Sequence, residues 1–324
     1  MEEQRKYSLD ILRIFACIGV IMIHAAGSPE GHHWVEIGSY DWNWCAAFDA
    51  LSRWSVPVFA MLSGFLFLNP QKELPLSKLY GKYIARIVIA LIFWSCFYAF
   101  TLHRDYYPFG VNGGHFWYLG MCVGLYIAMP IMRYIAKTPR VLSYFCWVWL
   151  FFKVYAFMSL FVTMPFDMSD HHLFADYVGY CLWAYYLSTI VLSRKYEWVL
   201  YALAIMGLVV NVIGYIVTKD SDCIFAGYAA VTNIATSFGL FYLCTHHHPN
   251  FGVRMNMVIQ TISECTFGIY LIHMWMLIQI IFRVHRFVPT PILTVGITVA
   301  LAFVGGGGIT YILKRIPFLK KWIV

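Results

Sequence analysis

A chain of 324 residues that is 61% hydrophobic and only 12% charged lacks the composition of a soluble enzyme, because soluble domains run about 45–50% apolar and about 25% charged. Mean hydropathy is +0.67, and apolar stretches long enough to cross the hydrocarbon core as helices, about 20 residues each, recur throughout. The net charge of +7 first suggests a nucleic-acid partner, but the basic residues are placed by topology, and no nucleic acid is expected.

Ten membrane-spanning helices are predicted, over 8–26, 44–68, 83–103, 115–134, 141–163, 173–193, 198–217, 223–244, 256–282 and 291–313. The gaps between them are too short for a separate soluble domain. Residues 1–324 therefore read as one all-α polytopic bundle, with the lipid bilayer as its partner and any chemistry between helices. With the amino terminus placed in the cytoplasm, only Arg104, Lys219, Arg283 and Arg286 of the 23 lysines and arginines fall in outer loops, and Arg13, Arg53 and Lys153 lie within spans. The rest, including Arg5, Lys78, Lys82, Arg86, Arg133 and Lys314, lie on the inner side. That bias predicts both termini in the cytoplasm and a multi-pass protein of the plasma (inner) membrane. The nine cysteines show neither disulfide nor metal-site spacing and read as small packing residues; no metal is expected.

The first span is too long and too polar for a signal peptide's apolar region. Ionisable side chains in a bilayer are costly and mark function by default; here they are Asp10, Arg13, His24, Asp49, Arg53, Lys153, Asp176, Glu264 and His273. Arg13 and His24 are eleven residues apart, so they share a helix face within about 20° and are separated by about 16 Å of rise. A cation at one mouth and an imidazole deep on the same stripe suit a long anionic ligand such as an acyl-coenzyme A. An Asp10–Arg13 pair at i,i+3 with a core histidine is the plainer account. Cys17 lies about 10.5 Å along the axis from His24, beyond reach for activation, and reads as packing. The outer loop from Gly27 to Asn43, with Glu30, His32, His33, Trp34, Glu36 and Asp41, has a composition that suits sugar.

In the second span, Asp49 and Arg53 stand at i,i+4 in the favourable orientation. Either they neutralise each other, or Asp49 aims Arg53 into a cavity. Trp117 and Tyr118 open a helix at its outer end, where aromatics form the interfacial belt. Lys153 needs an acid, with Asp49, Asp176 and Glu264 as candidates. The run His246–His248 reads as a solvated turn. Glu264 and His273, nine residues apart, point to opposite sides of one helix, whereas Tyr270 and His273 share a face. Gly305–Gly308 lacks the lysine of a phosphate loop and reads as close helix packing.

Several of these stretches together resemble the acyltransferase-3 family. Leu9-Asp10-Ile11-Leu12-Arg13 with His24 is similar to its first-helix signature, an arginine followed by ten residues and a histidine. Val56-Pro57-Val58-Phe59 running into Leu62-Ser63-Gly64-Phe65, preceded by Arg53, resembles the second-helix motif. His115-Phe116-Trp117-Tyr118-Leu119 with Tyr126 and Pro130 resembles the aromatic fourth-helix motif, and Phe267-Gly268-Ile269-Tyr270-Leu271-Ile272-His273 the late Tyr-Leu-Ile-His segment. The build looks most like members that O-acetylate surface polysaccharides, the enterobacterial common antigen type among them. One departure stands out: where the family often carries Arg-X-X-Arg, this chain reads Tyr83-Ile84-Ala85-Arg86, with Lys82 beside it.

The resemblance implies an O-acetyltransferase that takes acetyl-CoA from the cytoplasm as co-substrate. The acceptor would be a hydroxyl of a cell-surface carbohydrate or lipid-linked glycan at the outer face. Arg13, Arg86 and Lys82 are expected to hold the coenzyme phosphates, and His24 to serve as general base. Arg53, or a backbone N–H near Ser63-Gly64, is expected to stabilise the oxyanion. Asp10, Ser63, Trp117, Tyr118, Glu264, Tyr270 and His273 are expected as substrate contacts or structural polar groups. Two other readings fit: an acyltransferase for small molecules or a peptidoglycan component, and a transporter or exporter of a small solute such as an amino acid or acylated metabolite. A transporter predicts an inverted repeat, and the two halves show no convincing similarity.

Overall fold

The structure, a computed structural model, describes residues 6–324 apart from 32, 103–113, 160, 163–175, 221–224, 226 and 250, and apart from the side chains of 30 and 31. Arg5, His32, Arg104 and Cys223, and the starts of the predicted sixth and eighth spans, lie outside the described residues.

The described residues form helices joined by turns, with no strand among them. In chain order these are α1 (Tyr7–Gly31), α2 (Tyr40–Ser52), α3 (Ser55–Phe67), α4 (Leu76–Lys78), a π-turn (Leu79–Ile84) running into α5 (Ala85–Leu102), a 3-10 turn (Gly114–Phe116) running into α6 (Trp117–Lys137), α7 (Pro139–Met158), α8 (Asp176–Thr189), α9 (Arg194–Thr218), α10 (Val231–His246), α11 (Gly252–Phe287), α12 (Pro291–Leu313) and α13 (Pro317–Trp322). Every predicted span falls on this set, and among the described residues 8 helices are long and apolar enough to cross a membrane. The other two predicted spans are represented by α8, with 14 described residues, and α10, with 16.

The outside of the bundle is apolar. Phe100, Ile131, Tyr134, Tyr144, Ile205 and Val304 all stand exposed on long helices, an arrangement that suits lipid and would be costly in water. Several polar groups turn inward and are paired between helices. Lys153 on α7 takes Asp176 at the start of α8 as its acid. Asn211 Nδ2 on α9 donates to the Ala50 carbonyl at 2.8 Å and to Asn233 Oδ1 at 3.2 Å, which ties α9 to α2 and α10.

Two irregularities position the interior. The predicted continuous span 44–68 is broken at Arg53-Trp54. Pro57 has no N–H to offer the Arg53 carbonyl four residues back, and its ring crowds that carbonyl. The chain then re-enters as α3, which lies against α8, and there Gly64 has the Cys181 backbone where a Cβ would be. α1 packs against α2, α3, α10, α11 and α12 and so runs through the centre of the bundle. Of the four consecutive glycines in α12, Gly305, Gly306 and Gly307 face Met276, Ile269 or Ile272 of α11, as close packing requires, and Gly308 faces open space.

Candidate active site

Two cavities lie along the face of α1 that carries Arg13 and His24. The larger, of about 400 Å³, is lined by Arg13, Ser63, Tyr83, Arg86, Tyr126, Ser263, Glu264 and Phe267 among others. The smaller, about 20 Å³, holds about one water by volume and is lined by His24, Val20, Ile23, Val56, His115, Trp117 and Tyr228. Phe59, Tyr118 and Tyr270 line both, so the two spaces share a wall. The helix geometry that puts Arg13 and His24 on one face thus leads each into one of two adjoining spaces.

Arg13 is held but not consumed. Its guanidinium stands 3.7 Å from Asp10 and donates to Ser263 Oγ at 3.5 Å, while Ser263 Oγ donates to Asp10 Oδ1 at 2.6 Å. The side chain keeps 27% of its surface open. Arg13 thus pairs with Asp10 and also faces the large cavity. Arg86 faces the same cavity, where its Nη2 donates to the backbone oxygen of Val324 at 2.6 Å and its guanidinium lies 5.1 Å from the centre of the Phe267 ring. Lys82 does not join them. It is exposed in the π-turn, 5.6 Å from the Tyr83 ring centre, and the cavity is lined instead by Tyr83.

Both expected oxyanion donors are engaged within the protein. Ser63 and Gly64 lie inside α3, where backbone N–H groups belong to the helical ladder, and Ser63 Oγ donates to the Phe59 carbonyl at 3.2 Å. Arg53 does not line either cavity. Its Nε and Nη2 donate to Asp49 Oδ1 and Oδ2 at 2.6 and 2.9 Å. The Tyr215 hydroxyl donates to the same carboxylate at 3.3 Å. The guanidinium does reach the site indirectly, 5.6 Å from the centre of the Tyr228 ring.

Around His24 the structure gathers three imidazoles. The His24 ring centre is 5.3 Å from His273 and 6.4 Å from His115, and those two are 4.8 Å apart. His273 is wholly buried at 0% exposure and His115 nearly so at 2%. The Tyr270 hydroxyl donates to the His115 carbonyl, fixing the start of α6 against α11. Tyr270 and His273 thus lie on one face, their ring centres 5.6 Å apart, as their spacing predicts. Glu264, on the other side of the helix, accepts from Lys314 at 3.0 Å and from Gln260 at 2.8 Å at the edge of the large cavity. Cys17 is buried with its thiol toward the Thr266 carbonyl, a packing position.

Trp117, at the start of α6, is exposed and Tyr118 is half-buried. Both line the small cavity, with Trp117 stacked on Tyr228 at 5.9 Å and 26°. His115 and Tyr228 are the site residues that pattern reading missed. His115 begins the predicted span 115–134, and the rule that flags His24 as an intramembrane ionisable group applies equally to it. Tyr228 stands in a turn with no periodic signal to mark it. Among the described residues, no group of three His, Cys, Asp or Glu side chains is arranged to hold a metal ion.

A multi-pass helical membrane protein with adjoining cationic and imidazole-lined cavities in its interior is the class defined by fold and site. The acyltransferase-3 family profile, described as an acyltransferase domain, matches residues 6–311. The chain belongs to that family and is a membrane acyltransferase. No curated protein and no solved structure matches it.

Proposed function

We propose that this acyltransferase moves an acetyl group from cytoplasmic acetyl-CoA to a hydroxyl of a cell-surface carbohydrate or lipid-linked glycan, from a position in the plasma (inner) membrane. The observation that carries the reading is the pair of adjoining cavities on one face of α1, Arg13 and Arg86 in the larger and His24 in the smaller. About 16 Å of helix separates Arg13 from His24, a span suited to a slender arm with phosphates at one end and a thioester at the other. The large cavity falls within the roughly 300–1,000 Å³ usual for small-molecule sites. The positive-inside bias places the arginine end in the cytoplasm, where acetyl-CoA is found, and the imidazole end toward the outer face.

In this scheme Arg13 and Arg86 take the coenzyme phosphates through charge-assisted hydrogen bonds, and Arg86 exchanges the backbone oxygen of Val324 for a phosphate oxygen. His24 withdraws the proton of the acceptor hydroxyl, whose oxygen attacks the acyl carbon. Trp117, Tyr118 and Tyr228 line the one-water space with flat apolar faces, against which a sugar ring packs once that space has widened. The reaction is tested with purified full-length protein and radiolabelled acetyl-CoA, by following release of free coenzyme A. His24→Ala is expected to slow thioester cleavage by about 10²–10⁴-fold, the usual contribution of a general base. Arg13→Ala is expected to weaken acetyl-CoA binding by roughly tenfold or more, as loss of a charged hydrogen bond does. A His24→Ala protein that acetylates at the wild-type rate disproves the scheme; an Arg13→Ala protein with unchanged coenzyme affinity disproves the docking half alone.

A further inference from the structure

The buried imidazole of His273 has one nitrogen satisfied and one not. Its Nδ1 meets the Tyr270 carbonyl. A carbonyl oxygen only accepts, so Nδ1 carries the hydrogen and Nε2 is left with a lone pair. That Nε2 has no hydrogen-bond partner, although the ring is wholly buried. A buried acceptor without a donor is costly, and a donor is close at hand. The His24 ring centre lies 5.3 Å away, the planes tilted by 39°. Two imidazoles joined by an N–H···N bond of about 3 Å have centres roughly that far apart. His115 is also near, its ring centre 4.8 Å from that of His273 at 76° and neither of its ring nitrogens partnered, but at 6.4 Å from His24 it is too far to orient that ring.

We propose that His273 is the positioning residue of His24: its Nε2 accepts the N–H of His24, which leaves the other His24 nitrogen unprotonated and turned to the cavity. The inference rests on the reading of His24 as the base. The pair repeats the logic of a base oriented by a third group, with a neutral imidazole where a carboxylate often stands. The step balances within the acyl transfer. The free His24 nitrogen takes the hydroxyl proton, the acceptor oxygen bonds to the acyl carbon, the carbon–sulfur bond breaks, and the proton passes from His24 to the coenzyme sulfur. Throughout, the His24 N–H stays bonded to His273, which holds the ring in one orientation while its charge changes.

Substitution separates positioning from packing. His273→Gln keeps a donor for the Tyr270 carbonyl and an acceptor for His24; His273→Leu fills the space with neither. With acetyl-CoA cleavage by the purified full chain as readout, His273→Leu is expected to lower kcat about 10- to 100-fold with KM for acetyl-CoA within twofold of wild type, and His273→Gln to recover most of the loss. Equal losses in the two variants, or a Leu variant with wild-type kcat, overturn the proposal while leaving His24 as the base. A second measurement needs no turnover. In full-length protein carrying ¹⁵N-labelled histidine, His24→Ala removes the donor and is expected to move the His273 Nε2 resonance downfield; a resonance that does not move overturns the pairing. Wild-type protein that leaves acetyl-CoA intact overturns instead the choice of donor under Proposed function, and the resonance then decides the pairing alone.

Discussion

Asp49 and Arg53 illustrate how a charged pair is tolerated in this bundle. Both are buried, at 4% and 9% exposure, and joined by two hydrogen bonds, with Tyr215 completing the carboxylate's shell. The i,i+4 spacing made the pair readable, yet the choice between neutralisation and catalysis needed the side-chain geometry. Arg53 turns to Asp49 and stands 5.6 Å from the centre of the Tyr228 ring. Removing one partner leaves an uncompensated charge, so Asp49→Leu is expected to destabilise the protein by about 3–5 kcal/mol, seen as a lower thermal midpoint in detergent. Asp49→Leu combined with Arg53→Met is expected to recover much of that loss; a double variant as unstable as the single one contradicts the pairing account. His24 and Arg13 were legible for a simpler reason: eleven residues are close to three full helical turns, and both residue types are anomalous in lipid. Ser263, which ties Arg13 to Asp10, was not legible, because a serine on a distant helix carries no signal until α1 and α11 are seen to pack.

Helices were readable wherever hydrophobicity alone defines them, and unreadable where one residue redirects the chain. The second predicted span, 44–68, is two helices because Pro57 cannot bond back to Arg53, and that proline was visible in the sequence. The π-turn over Leu79–Ile84 left no such mark. α3 and α8 meet closely because Gly64 carries no side chain, the small-residue contact typical of membrane helices. A Cβ there would collide with the Cys181 backbone. Gly64→Val is therefore expected to force α3 away from α8 and cost about 1–3 kcal/mol, as overpacking does. Because Ser63 and Leu62 of the same helix line the large cavity, acetyl-CoA affinity should fall with it. A Gly64→Val protein with the wild-type melting temperature and affinity contradicts the close approach.

Taken whole, the bundle is apolar outside, holds charged pairs within, and is hollow along one face of its central helix. The family profile over residues 6–311 establishes an acyltransferase. The line of cavities beside α1 supplies the further reading, that donor and acceptor meet end to end inside the membrane. Hydropathy could announce the helices but not this hollow, which arises where α1, α3, α5, α6 and α11 fail to close on one another around Arg13 and Tyr270. The most direct test is an electron cryo-microscopy map of the protein with a non-hydrolysable acetyl-CoA analogue. The phosphates are predicted against Arg13 and Arg86, the arm through the large cavity past Phe59, Tyr118 and Tyr270, and the acyl carbon beside His24. Density that runs in the opposite direction, or that lies on the outside of the bundle with the space between Arg13 and His24 empty, contradicts the account.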